Sequence, residues 1–403
     1  NTGGDYDLEN ESYWSFIKWG NQVIATAVEE NPQIITIGGS NFADLSGSPP
    51  KAKYCAVIGD FVVLGYISTD PQKLHWSGIN DATDWTANAD TQSDTQVLRS
   101  NQRNGGGLIT GIKGSSEYGI VFQEYTMHRF NYVGSPTVFD FEEILPGVGT
   151  QAPNSISQEG QLIHFLGTDG FIQLVNGSQV NRIGDQKIDA TFLADLDSDY
   201  HDRVIGASDP QSSLVYWIYP GSGSSLGVPN KYIVYNWYIN KWAHGELDLE
   251  WIYSALSEGY TLEELDSVST SLDALGASLD SEAWSGGVTQ LSAYNTSDKA
   301  GVLQNTALSA LVETGEMEIN PVGRSRITGV RPIVETGTPT AQVGTRNLLS
   351  DEVSYTTAGS PNTHNGFVDL RSDSRYHRFR VNTSGAFTEI LGIDIKALPI
   401  GTR

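Results

Sequence analysis

Short apolar runs closed by turns of Gly, Asn and Asp recur along this chain, and that rhythm of hairpins limits its fold more than any other feature. The clearest case is residues 59–85, GDFVVLGYISTDPQKLHWSGINDATDW. Residues 61–66 are apolar and β-branched, which predicts a strand; a break is expected at 68–72, then a second strand carrying Leu74 and Trp76. The closing SGINDATDW is a turn: Gly supplies positive φ, while Asn80, Asp81 and Asp84 bond their own backbone. Trp76 and Trp85 are then packing residues that fold back onto the strands. Asp81, Asp84 and two tryptophans around one turn also have the outline of a site, but the same punctuation recurs elsewhere and reads as architecture.

Comparable units follow one another. QVIATAV and QIITIG form a first; residues 59–85 lie in a second; LITGIKG, YGIVFQE, MHRFNYV and FDFEEIL form a third. QLIHFLG, FIQLVNG and QVNRIG make a fourth, and LVYWIYP with KYIVYNWYINKWAHGEL a fifth. A weaker sixth includes VTQLSAYN and LSALVETGEMEIN. Units of three or four strands at roughly 35–60 residues each predict an all-β fold, a β-propeller of about six irregular blades. Residues 262–285 carry Leu-Asp at 265/266, 272/273 and 279/280, and are expected to form a long arm with one or two helical turns.

From residue 327 the character changes. ITGVRPIVE, TAQVGTRN, GFVDLRS, RYHRFRVNT and ILGIDIKALP read as strands of a second β-rich domain, a sandwich or platform, so the expected domains are 1–322 and 323–403. In RYHRFRV, Tyr376, Arg378 and Arg380 share one face and His377, Phe379 and Val381 the other. Residues 323–403 hold ten Lys/Arg against seven Asp/Glu, a balance of +3, which leaves −27 for the remainder of a chain whose net charge is −24. Such asymmetry suggests two surfaces with different partners. Arg375, Arg378 and Arg380 are the candidate interface residues.

The acidic balance argues against a protein that wraps nucleic acid through phosphate neutralisation. A single cysteine, Cys55 in YCAVIG, excludes a disulfide framework and reads as a buried strand residue. No apolar run approaches the roughly 18 residues of a membrane-spanning helix. No signal-peptide pattern opens the chain, and because it begins at Asn1 rather than Met, a preceding or processed segment is expected.

Chemistry-bearing motifs are weak. DLDSDYHD (195–202) has the D-x-D-x-D opening of a calcium loop, making Asp195, Asp197 and Asp199 candidate ligands, but Tyr200 stands where Gly is needed and Gly206 where Glu is needed. STDPQKLHW lacks the Gly of an Asp-box. The seven histidines show no HxH or HExxH spacing, and neither GxSxG nor a phosphate loop occurs. Glu142–Glu143 could imitate paired carboxylates, and Trp217, Tyr219, Tyr232, Tyr235, Trp237, Tyr238 and Trp242 could stack sugars. A strand end and cross-strand packing are the plainer readings.

Three blocks together resemble a known family: WSGINDATDW, the arm TLEELDSVSTSLDALGASLDSEAW, and the tail GRSRITGVRPIVE…VGTRNLLSD…VDLRSDSRYHRFRV. They are similar to the tail-tube or nozzle proteins of short-tailed bacteriophages, also called packaged-DNA stabilisation or tail hub proteins, over about residues 54–403. The resemblance implies a structural virion protein of the phage tail, assembled in the host cytoplasm, with no enzymatic activity and no cofactor. It implies a homo-oligomer, commonly a hexameric ring, below the portal and adaptor, touching tail fibres or a needle, with packaged DNA passing through without sequence-specific binding. This chain departs from the family in showing no platform segment before Asn1. The alternative is a glycan-binding or glycan-cleaving propeller for host-surface recognition, which requires converging carboxylates and exposed aromatics in one pocket.

Overall fold

The structure, a computed structural model, describes residues 6–9, 12–101, 103–256, 287, 289–303 and 309–401, with short pieces between 264 and 275. It separates into two compact units, Asn1–Leu303 and Gln304–Arg403.

The first unit is a β-propeller of six consecutive antiparallel meanders. Blade 1 is β1 (Ser15–Trp19), β2 (Gln22–Thr26), β3 (Gln33–Thr36) and β4 (Ala43–Asp44). Blade 2 is β5 (Ala52–Ile58), β6 (Phe61–Ile67), β7 (Asp70–Trp76) and β8 (Asp94–Val97). Blade 3 is β9 (Ile109–Gly114), β10 (Tyr118–Gln123), β11 (Met127–Gly134) and β12 (Val138–Glu143). Blade 4 is β13 (Ser157–Glu159), β14 (Leu162–Gly167), β15 (Gly170–Val175) and β16 (Gln179–Arg182), followed by the short helix α1 (Asp189–Asp195). Blade 5 is β17 (Ile205–Asp209), β18 (Leu214–Tyr219), β19 (Lys231–Asn236) and β20 (Lys241–Glu246). Among the described residues blade 6 has three strands, β21 (Trp251–Leu256), β22 (Thr289–Tyr294) and β23 (Ala300–Val302).

Second strands of blades read as unbroken apolar runs because both faces of the sheet are covered by neighbouring blades. In β6, FVVLGYI, every residue except Tyr66 is buried. Outer strands such as β8 and β20 are polar and largely exposed. Five buried clusters join successive blades: Ile24, Leu64 and Trp85 between blades 1 and 2, Trp76, Ile112 and Phe130 between 2 and 3. Phe122 meets Phe165 between blades 3 and 4, Phe171 meets Trp217 between 4 and 5, and Ile218 meets Ile252 between 5 and 6. Blade contact is close enough at Gly65 that a Cβ there would lie 2.4 Å from Ile112 Cδ1. Among the described residues no such cluster joins blade 6 to blade 1, where Tyr13 and Trp251 meet with ring centroids 6.3 Å apart. Among the described residues no strand is exchanged to close the ring: each blade is made from consecutive strands.

The second unit contains β24 (Ala310–Glu313), β25 (Arg324–Arg346), β26 (Ser354–Tyr355), β27 (Val368–Ser374) and β28 (Tyr376–Ile400), in the order β24-β28-β25-β26 with β27 on β25. The segments expected as four separate strands are two strands of 23 and 25 residues. Their pairing is interrupted rather than ended: the register shifts around residues 333–338, with Thr336 at φ 60° and Gly337 at φ 76°. Bulges of this kind bend a ribbon. Ile327 and Val330 from one half of β25 share a core with Ala341 and Val343 from the other, together with Val368, Phe379 and Val381. The long hairpin thus folds over its own apolar face.

Three sequence expectations need correcting. The break at 68–72 is shorter, because β6 continues to Ile67 and β7 begins at Asp70. LSALVETGEMEIN does not belong to the sixth blade: β24 pairs with β28, Val312 opposite Val381, which places the boundary at 303/304 rather than 322/323. The fourth and fifth blades each have an inner strand, β13 and β17, that their patterns did not reveal. The arm at 262–285 lies almost entirely outside the described residues.

Candidate functional site

The six inner strands, β1, β5, β9, β13, β17 and β21, surround an axial cavity of about 930 Å³. Each of these strands pairs on its outer side only, so the inner edge leaves main-chain N–H and C=O groups toward the axis. Tyr13 and Trp251 stand on its wall, and the Tyr13 hydroxyl lies 3.4 Å from that of Tyr54. Burial pushes the Tyr13 phenol up to about 12, so it stays protonated and serves as a donor. Cys55 also lines the cavity; its Sγ donates to the Ser15 carbonyl at 3.4 Å, and burial pushes its thiol up to about 12. A thiol so far above neutral pH is a packing group, not a nucleophile.

The turn after β7 is built from the residues the sequence singled out. Trp76 is 2% exposed and its Nε1 donates to the Gln92 carbonyl at 2.9 Å; Trp85 Nε1 donates to the Ala82 carbonyl at 2.8 Å. Asn80 takes φ 54°, and its N–H bonds the Asp60 carbonyl at 2.8 Å, tying the turn to the preceding hairpin. Asp81 Oδ1 accepts from the Thr83 N–H at 2.8 Å and the Thr83 hydroxyl at 2.6 Å, and these bonds hold its carboxyl below the usual range. Asp84 Oδ1 accepts the Thr86 N–H at 3.1 Å. Both carboxylates are spent on the backbone.

The arginine strand is a lattice of ion pairs. His377, Phe379 and Val381 are fully buried, as the alternation predicts. On the other face Arg380 Nη2 lies 2.7 Å from Glu313 Oε2, with its guanidinium 3.9 Å from the Tyr355 ring centre. Arg378 reaches Glu313 at 3.6 Å and Glu316 at 3.8 Å, Arg375 Nε reaches Glu318 at 2.6 Å, and Arg346 forks onto Glu316. Burial opposes ionisation of Glu313, but the Tyr355 hydroxyl and the Arg380 guanidinium outweigh it and keep the carboxyl low. The expected bare basic face is therefore internally neutralised. The reason is the boundary: Glu313, Glu316 and Glu318 belong to the second unit, which then holds ten Lys/Arg and ten Asp/Glu.

The remaining candidates disperse. Asp195 is gripped by Lys231 Nζ at 2.7 Å and by the Tyr219 hydroxyl at 3.0 Å; burial raises its pKa, but these bonds prevail and lower it. Asp197 instead caps the following turn by accepting the Asp199 N–H. Among the described residues no three His, Cys, Asp or Glu side chains gather as a metal cluster. Glu143 Oε1 accepts from the Ser100 and Thr126 hydroxyls, while Glu142 stands in register with Arg129, so the two adjacent carboxylates lie on opposite faces of β12. Trp217, Tyr219 and Tyr235 are buried in the cluster between blades 4 and 5, and Trp217 and Trp242 stack at 5.8 Å; Tyr238 is exposed at the turn.

Two features went unread in the sequence. Glu313, Glu316 and Glu318 cluster within six residues, and Glu316 and Glu318 keep the two-residue spacing of a strand, which could have marked them as partners of the alternating arginines. Lys113, in ITGIKG, sits on the inner strand of blade 3 and lines the axial cavity. Nothing in a single lysine at a strand end signals that.

No protein-family profile matches this chain, and no curated protein does. Among solved structures it is similar to a computationally designed protein, Ika8, at 10% identity over 72% of this chain and 69% of that one, with a TM-score of 0.36. It is also similar to BamB from Moraxella catarrhalis at 11% identity over 92% and 96% of the two chains, with a TM-score of 0.35. Neither likeness carries function to this chain.

Proposed function

We propose that this chain is a structural subunit of a short-tailed bacteriophage tail. It forms an oligomeric nozzle, commonly a hexamer, that retains packaged DNA and conducts it during ejection. The observation that carries this reading is the segregation of charge. The second unit balances to zero, so the whole net charge of −24 falls on the propeller unit, which has 38 acidic and 14 basic residues. A duplex moving past such a surface meets repulsion, whereas each Lys or Arg contact to phosphate would add affinity and friction. The reading assigns no catalytic step and no cofactor. In it, Arg375, Arg378 and Arg380 meet a neighbouring subunit or adaptor as parts of charge pairs rather than as bare cations.

Negative-stain imaging of the purified chain, alone and with adaptor and portal-proximal tail proteins, tests the proposal. Rings with a central lumen support it, as does failure to retain duplex DNA in a gel shift at low salt. A persistent monomer that binds oligosaccharides overturns it and favours the glycan reading. Charge reversal at all three arginines, in protein whose circular dichroism is unchanged, removes the interface claim if rings still assemble.

A further inference from the structure

The axial cavity departs from the rest of its unit in charge. Around it the propeller unit is acidic by 38 residues to 14, yet the charged side chains on the cavity wall are Lys18, Lys113 and Glu159. Glu159 accepts the Ser208 hydroxyl at 3.4 Å. The Lys113 ammonium has no hydrogen-bond acceptor and no carboxylate within ion-pair distance among the described residues. It is partly buried on β9, and desolvation pushes its pKa below the ordinary lysine value. Cys55 beside it is a neutral thiol and supplies no counter-charge. An ammonium taken from water without a partner is costly, and a charge-assisted hydrogen bond from an anion relieves that cost. The inner strand edges place main-chain N–H donors, alternating with carbonyls, around the same space, and the donors can complete the coordination of an oxyanion held by the ammonium. A volume of about 930 Å³ falls within the size range of small-molecule sites.

We propose that the axial cavity of the propeller binds a small oxyanion, a phosphate or carboxylate group, held by the Lys113 ammonium. This site is independent of the tail reading above and would stand or fall without it.

The test uses the full chain and inorganic phosphate, with sodium chloride at matched ionic strength as reference. Phosphate is expected to raise the unfolding temperature saturably and to protect Lys113 from acylation by acetic anhydride, read by peptide mapping. Lys113→Met is expected to weaken phosphate binding about tenfold to a hundredfold, the worth of one charge-assisted bond. Lys113→Arg is expected to retain binding, and Lys241→Gln, on the exposed outer strand of blade 5, to leave it unchanged. If phosphate neither stabilises the wild-type chain nor protects Lys113, the proposal fails. Equal stabilisation of the wild-type and Lys113→Met chains also overturns it, because binding then lies elsewhere. The protection experiment needs no variant, so a misfolded Lys113→Met chain leaves the decision intact.

Discussion

His164 shows how much a single buried side chain sets the response of this fold to acid. It is fully buried between Gln173, 3.0 Å from its Nε2, and the stacked ring of Trp237, while its Nδ1 has no partner. Burial pushes its pKa down to about 4. The unfolded chain takes up that proton near the ordinary value of about 6.5, so the stability contributed by neutral His164 is full above 6.5 and is lost as pH falls toward 4. The loss from this residue is roughly 3 kcal/mol across that window. Urea unfolding at pH 7 and pH 4.5 should show the decline, and His164→Gln should make it shallower. A variant with an unchanged slope would assign the acid sensitivity to His75, His128 and His377, whose burial shifts them the same way. The turn residues separate by size of effect: Trp76→Ala removes a fully buried ring and should cost about 3–5 kcal/mol, Asp81→Ala only about 1 kcal/mol, by chemical unfolding. Those five residues were legible because local turn chemistry and aromatic packing decide them. His164 in QLIHFLG was not, since its setting is made by Gln173 of β15 and Trp237 of the turn after β19.

At the scale of elements, strands buried on both faces announced themselves as apolar runs, and β6, β10 and β14 lie where those runs fall. β24 did not. Four residues, ALVE, carry too little pattern to choose a partner, and their place is decided by β28 at a distance in sequence. A boundary at 322/323 therefore leaves a basic face, whereas Glu313 at the end of β24 and Glu316 and Glu318 after it neutralise that face. The lattice they form is partly exposed, with side-chain exposures of 28% for Arg380 and 20% for Glu313, so solvent screens it. A double-mutant cycle of Glu313→Gln and Arg380→Gln should give a coupling of about 0.5–1 kcal/mol, falling as salt rises. A coupling indistinguishable from zero at low salt would mean the pair is geometric rather than energetic. The 23- and 25-residue strands were read as fragments for a related reason: Gly and Thr at the bend look like an ending, whereas pairing continues through the bulges.

For the whole propeller, the interface between blades 6 and 1 differs from the other five. Among the described residues Tyr13 meets Trp251 there, a residue 36% exposed, where each other junction has a buried apolar cluster. Trp251→Ala should therefore raise hydrogen exchange in β1 and β21 while β10 and β14 keep their protection. Uniform loss across all blades would show instead that the ring opens only by global unfolding. A ring whose described sheets are each built from consecutive strands has a temporal side as well. Blade 2 is complete between Ala52 and Val97, so it has all its hydrogen-bonding partners long before blade 6 has left the ribosome. Growth of the fold is sequential addition, each new blade docking on the apolar flank of the last, with contacts close along the chain. Joining the first blade to the sixth is then the last step in forming the propeller, and it waits on synthesis of all six blades rather than on a search for a distant strand.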